Sequence, residues 1–301
     1  MRTQQFYRLL YVLMLYVAFA GQAWAQHDLK EYSAVAPDGV ALAIQESGNP
    51  QGPPVVFIHG LLGSHLNWEG QFSDTELQKY RLISYDLRGH GKSGKPEVED
   101  AYKDGRIWAT DLAAVIEAAH AEGAVLVGWS LGGVVISNYL AAYGDAKLRG
   151  AVYVDGVVEL NADQIAAHPK VYKDMISQDL KTHLDGERSF LELCFNKKPD
   201  EVTFARLLAN ASMASWAMQK AVQSMSVFAA EGIARAKVPM LFLYGGKDAL
   251  VNTEPTIARA RKLNPDIRSV VYRDSGHAPF IEEAVRFNAD LKAFLVDSVG
   301  R

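Results

Sequence analysis

Ala124-Val125-Leu126-Val127-Gly128-Trp129-Ser130-Leu131-Gly132-Gly133 decides the fold. A short apolar run ends at a glycine, a serine follows, and two more glycines come next. Val134, Val135, Asn138 and Tyr139 then continue with helical spacing. The order is strand, sharp turn, helix. Within it, Gly128, Ser130 and Gly132 form Gly-x-Ser-x-Gly, which in that setting exposes a strained serine at the C-terminal edge of a sheet. Glycines on either side leave room for the neighbouring backbone, and the helix N-terminus favours negative charge developing beside Ser130. Ser130 is therefore the expected nucleophile.

Outward from this stretch, strand-like and helix-like patterns alternate. Leu29–Ala36 and Val40–Glu46 read as strands joined by the turn Pro37-Asp38-Gly39. Val55–Ile58 is a continuous apolar run of the kind buried on both faces of a parallel sheet, and Arg81–Asp86 and Leu148–Val154 read as further strands. Ile107, Trp108, Leu112, Val115, Ile116 and Ala119 mark one face of a helix leading into the Ser130 strand. From Val157 to about Ala236 the strand signal stops, and helical stretches rich in Ala, Met, Leu and aromatics take over. The sheet resumes at Val238–Tyr244 and ends at Ile267–Tyr272, with helices over about Glu254–Leu263 and Ile281–Val296. The expected fold class is α/β, a mostly parallel twisted sheet with helices on both faces. Residues 26–156 and 237–301 form its core domain, and 157–236 form an inserted helical cap.

A serine hydroxyl needs a base and a group that orients the base. His277 follows the last strand in Ser275-Gly276-His277-Ala278-Pro279, and Asp248 follows the preceding one in Gly245-Gly246-Lys247-Asp248. In a parallel sheet the loops after the strands share one edge, so Ser130, Asp248 and His277 can converge. Asp155 also ends a strand and is the alternative acid. Asp274 is near His277 in sequence and serves to fix that loop. The backbone N–H of Leu61, in His59-Gly60-Leu61-Leu62-Gly63-Ser64, pairs with that of Leu131 as the expected oxyanion hole. Trp129, Met213, Trp216 and Phe228 are expected to contribute to an apolar substrate pocket. Leu87-Arg88-Gly89-His90-Gly91-Lys92-Ser93-Gly94 lacks both phosphate-binding glycine patterns and reads as a structural loop, with Asp86, Arg88 and His90 in local hydrogen bonds.

Bulk properties narrow the function. The chain has 301 residues, 49% hydrophobic and 22% charged, so it is globular. A net charge of −4 without a basic block argues against a nucleic-acid partner. No clustered Cys/His spacing or His-Glu-x-x-His calls for a metal, and no other cofactor is expected. Arg2 and Arg8, the apolar run Leu9–Ala20 and Ala23-Trp24-Ala25 read as a signal peptide over residues 1–25. That implies export to the periplasm or beyond, with no stable membrane anchor after cleavage. The one cysteine, Cys194, sits in an apolar setting and reads as buried filler.

Taken together, His59-Gly60, Asp86–Ser93, Gly128–Gly133, Gly246-Lys247-Asp248 and Gly276-His277 resemble the α/β-hydrolase superfamily over essentially all of Tyr32 to Val299. The Gly-Trp-Ser-Leu-Gly-Gly turn is similar to that of small-ester carboxylesterases. Relatives with an aspartate nucleophile, the dehalogenases and epoxide hydrolases, share the Asp86–Ser93 loop but not Ser130. The resemblance implies an ester hydrolase acting through an acyl-enzyme on small to medium apolar acyl substrates. Its alternatives are a carbon–carbon bond hydrolase or cofactor-free haloperoxidase/perhydrolase with the same triad, and a non-catalytic ligand-binding protein on the same scaffold.

Overall fold

The computed structural model describes residues 29–299; the expected signal peptide lies outside the described residues. Strands β1 (Lys30–Val35), β2 (Ala41–Gly48), β3 (Pro54–Ile58), β4 (Arg81–Tyr85), β5 (Ala124–Trp129), β6 (Leu148–Val154), β7 (Met240–Gly245) and β8 (Arg268–Tyr272) form one sheet. Their order is β1-β2-β4-β3-β5-β6-β7-β8. The β1–β2 and β2–β4 pairs are antiparallel, and every pair from β4 to β8 is parallel. Every residue of β5 and β7 is buried, as their unbroken apolar runs require. At the edge, β8 stays partly exposed along most of its length.

Counting helices of at least six residues, α1 (Gly105–Ala118) and α2 (Leu131–Tyr143) belong to the core. The side chain of Asp104 caps α1 by accepting the Arg106 N–H, and the helix buries Trp108, Leu112, Val115 and Ile116. Between β6 and β7 come α3 (Pro169–Met175), α4 (Leu180–Leu193), α5 (Glu201–Ala211) and α6 (Trp216–Ala221). Asp179, Asp200 and Ser215 cap the last three. The stretch from Gly156 to His168 has no helix, and an isolated bridge from Ile165 to Val251 ties it to the core. The core then continues with α7 (Thr253–Leu263) and α8 (Ala284–Val299). The expected single C-terminal helix is interrupted: a short turn over Pro279–Glu282 precedes α8, and Glu283 sits at φ −126°, ψ 45°. The side chains of Glu282 and Glu283 there reach back to the loop carrying His277.

The glycine-rich loop after β4 is structural. Arg88 is buried and makes a two-pronged contact with buried Asp111 on α1, at 2.6 Å for each prong. Its remaining nitrogen reaches Asp38 at 2.9 Å, which fastens the β1–β2 turn to the core. Asp86 accepts from the His65 N–H and ring, and from the Lys92 N–H. Burial alone would raise its carboxyl, but these donors outweigh it and hold the group at about 2.

Because the folded value lies below the ordinary 3.8, Asp86 stabilises the fold above that pH and loses the contribution as pH falls towards 2. The contribution is about 2 kcal/mol. Urea unfolding of wild type and Asp86→Asn is expected to differ by roughly that amount near neutrality. The two should converge in acid.

Candidate active site

Ser130 sits between β5 and α2 at φ 53°, ψ −112°, a conformation a serine adopts only when its surroundings force it. The surroundings do so. A Cβ on Gly128 would lie 2.5 Å from the Gly132 oxygen, and one on Gly132 would lie 2.4 Å from the Ile58 oxygen. The Ser130 N–H donates to Val154 O at 3.0 Å, and its carbonyl accepts from Gly133 and Val157. The turn is thus wedged against the ends of both β3 and β6.

His277 Nδ1 lies 2.7 Å from Asp248 Oδ2. Facing a carboxylate, Nδ1 carries the proton, which leaves Nε2 as the base. Nε2 is buried and has no hydrogen-bond partner among the described residues, Ser130 included. Such contacts are often loose before substrate arrives. Asp248 is held in turn by the N–H groups of Leu250 and Val251, at 2.8 and 3.0 Å. Asp155, the alternative acid, does not take its place. It is fully buried beside Asp248, with Oδ1 accepting the Gly245 N–H at 2.7 Å. Asp155, Asp248 and His277 each put one polar atom within 4.8 Å of the others. Both oxygens of Asp248 and the Nδ1 of His277 are already hydrogen-bonded, so this is a proton-holding cluster rather than an open coordination site.

The N–H groups of Leu61 and Leu131 find no acceptor among the described residues, and both residues line the same cavity as Ser130. They are placed to receive an oxyanion. His59 is a scaffold group: its Nε2 accepts the Leu87 N–H, and burial depresses its basicity to about 4. Asp274 pairs with Lys247 at the surface.

The cavity over Ser130 has a volume of about 480 Å³. Its walls include Ile165, Tyr172, Phe190, Met225 and Leu250, with Asn161 and Gln223 among the few polar groups. The four residues expected to shape it do not line it. Trp129 is buried under the turn, where its indole N–H donates to His277 O at 2.6 Å and its ring meets Phe280. It supports the base instead of touching substrate. Met213 and Trp216 are exposed on the outside of the cap, and Trp216 lies against the His183 ring. Phe228 lies under the Arg106 guanidinium. The cap's inner wall comes mostly from residues 157–172, of which 157–168 form no helix whose periodicity could reveal their facing.

Sequence reasoning also missed Glu282. Its Oε1 accepts from Gly276 at 2.8 Å, and its Oε2 accepts from Lys197, in the loop leaving α4, at 2.7 Å. One carboxylate thereby links the His277 loop to the cap. A paired Glu282-Glu283 just after Pro279-Phe280-Ile281 was the available signal. Cys194 is buried as expected, and burial raises its thiol well above the ordinary range.

Comparison with known proteins agrees with this geometry. The alpha/beta hydrolase fold family model matches residues 53–284. A solved structure of a candidate aryl esterase from Burkholderia cenocepacia is 64% identical, with a TM-score of 0.90, over 90% of this chain and all of its own. A bifunctional esterase/perhydrolase from Acinetobacter calcoaceticus is 27% identical over 86% of this chain and 97% of its own. A non-heme chloroperoxidase from Kitasatospora aureofaciens is 29% identical over 86% and 97%.

Ser130→Ala is expected to abolish labelling by a fluorophosphonate probe while the circular dichroism spectrum stays unchanged. Asp248→Asn should leave the geometry in place but favour the wrong imidazole tautomer, lowering kcat by about 10⁴. Steady-state kinetics with an activated ester checks this.

Proposed function

We propose a specific reaction from the premise that this chain belongs to the alpha/beta hydrolase family. It is an ester-cleaving serine hydrolase of that family. Our reading is that it acts outside the cytoplasm on carboxylic esters with a small to medium apolar acyl group. The observation that carries the reading is a strained Ser130 lining a mainly aliphatic cavity, with a hydrogen-bonded Asp248–His277 pair on the same sheet edge. An apolar pocket with few polar groups favours a hydrocarbon acyl chain over a sugar or a charged substrate. The 64% identical relative, a candidate aryl esterase, supports the same reading, because an aryl ester is largely apolar.

In this reading, Ser130 Oγ attacks the ester carbonyl carbon while its proton passes to His277 Nε2. The former carbonyl oxygen becomes an oxyanion between the Leu61 and Leu131 N–H groups; losing one such donor costs about 3 kcal/mol of barrier. The C–O bond to the leaving alcohol breaks, and His277 returns the proton to that alcohol. Water then attacks the acyl-serine, giving its proton to His277. The acid departs and Ser130 regains its hydrogen. Asp248 keeps the imidazole oriented and stabilises its charged form. No step calls on a metal or organic cofactor.

A second reading is favoured by the esterase/perhydrolase and chloroperoxidase relatives. Hydrogen peroxide in place of water in the second step would release a peracid by the same proton transfers.

The test is hydrolysis of p-nitrophenyl esters from acetate to decanoate, with Ser130→Ala as control. Turnover is expected to peak at short or middle chain lengths and to vanish in the variant. A profile rising to the longest chains, or equal activity in the variant, would sink the reading. Peracid formed under added peroxide, measured in the same reactions, reports the second chemistry. Export is tested separately: N-terminal sequencing of protein recovered from the periplasmic fraction should begin at Gln26.

A further inference from the structure

Asp155 is the one strongly buried carboxyl near the site that the reaction above leaves without a task. It is fully buried just beyond β6, in a left-handed backbone conformation with φ 42°. Its Oδ1 accepts the Gly245 N–H, and its Oδ2 is buried with no donor facing it. Its neighbour Asp248 is in the opposite situation. Two N–H groups and an imidazole N–H already donate to Asp248, filling three of the roughly four acceptor positions a carboxylate offers. Two carboxylates within 4.8 Å in a buried setting cannot both carry charge without a large penalty. The one richly supplied with donors keeps its charge. The other has a buried oxygen that no donor among the described residues meets, and a proton on it would have an acceptor in Asp248.

We propose that Asp155 is a positioning residue of the catalytic site, a neutral carboxylic acid whose Oδ2–H donates to the Asp248 carboxylate. The assignment rests on the Ser130–Asp248–His277 reading for its catalytic meaning, but not for its existence. The bond would close the last open acceptor site of Asp248 and lock the carboxylate against rotation. It would also draw charge away from Asp248, so that when His277 becomes imidazolium the proton stays on nitrogen. A carboxylate with one fewer donor would be a stronger competitor for it. The pair thus contributes both geometry and proton bias to the base.

The surroundings suit a neutral acid. Burial, then the charge on Asp248, drives the Asp155 carboxyl well above the ordinary 3.8. The other titratable groups acting on or around it are Glu282, Cys194, Tyr244, Tyr172 and His277. With Asp248 these make six groups, five of them acids or neutral hydrogen donors and the sixth His277, and none is a lysine or arginine. Tyr244 spends its hydroxyl proton on Gly156 O, so it cannot supply the missing donor. For a carboxyl with a raised folded value the sign is opposite to that of Asp86. Stability is greatest below the unfolded value and declines as pH climbs towards the folded one.

The variants are Asp155→Asn, whose amide can accept from Gly245 and donate to Asp248, and Asp155→Ala, which can do neither. In the Ser130→Ala background, infrared difference spectra between wild-type Asp155 and Asp155→Asn are expected to show a protonated carboxylic acid band at neutral pH. This readout needs no activity. In the active enzyme, Asp155→Asn should keep kcat within about threefold, whereas Asp155→Ala should lose about tenfold or more in kcat with little change in KM. Asp155→Asn should also lose any decline in kcat at alkaline pH and should gain thermal stability over wild type as pH rises. A carboxylate that merely accepts the Gly245 N–H predicts the reverse stability change. An absent acid band, or an Asn variant as impaired as the Ala variant, would overturn the assignment. If Asp155→Asn is dead while Asp248→Asn is active, Asp155 is itself the acid of the triad, and the assignment falls. If Ser130→Ala retains activity, it is the nucleophile reading that fails, and the infrared band still decides the pair.

Discussion

The active centre depends on a backbone contact too close for a side chain. The turn after β5 is pressed against the end of β3, where the Ile58 oxygen occupies the place a Cβ on Gly132 would take. Ser130 has hydrogen bonds to the end of β6 through both its N–H and its carbonyl. The serine is therefore gripped from two neighbouring strands at once. One grip holds the loop that presents Leu61; the other holds the turn that buries Asp155. Strain at φ 53° persists because relaxing it would separate three strand ends together.

This explains which parts were legible in the sequence. The sheet was readable because its central strands are buried on both faces and must be apolar throughout. The site residues were readable because each follows a strand directly, in a short motif whose chemistry is local. Ser130, Asp248 and His277 needed only the rule that such loops share one edge. The oxyanion donors followed from the same rule. Asp155 was visible as a strand-end acid, but its standing beside Asp248 comes from the lateral pairing of β6 with β7, which no local pattern encodes.

The pocket wall was not legible, for a different reason. Helix periodicity says which residues share a face, not which way that face turns. Trp216 and Phe228 have the size and character of pocket residues, yet one lies on His183 and the other under Arg106. Trp216 serves the cap's own packing, and Phe228 packs against the core helix α1. Inside the cap, buried Glu187 on α4 accepts from Gln219 Nε2 on α6 and lies 3.1 Å from His183 Nε2, an internal polar anchor that likewise left no trace in the hydrophobic pattern. The break at Glu283 belongs to the same class: Glu282 and Glu283 look like ordinary helix-surface acids until the loop they hold is seen.

The irregular stretch from Gly156 to His168 has a wider consequence. It supplies much of the cavity wall without a helix of its own, and its backbone is tied to the core by the Ile165–Val251 bridge, by the Val157 N–H on Ser130 O, by the Ala166 N–H on Leu250 O and by the Asn252 N–H on Gln164 O. The nucleophile, base and acid follow strands of the sheet, and the wall joins them through its backbone: Val157 bonds Ser130, and Ala166 and Ile165 meet the Leu250 and Val251 that hold Asp248. Side chains that line the cavity from this stretch, such as exposed Leu160 and Ala162, can change without breaking those backbone ties. A scaffold built this way can take up new substrates through side-chain changes in the wall alone, while the backbone that holds the catalytic residues stays in place.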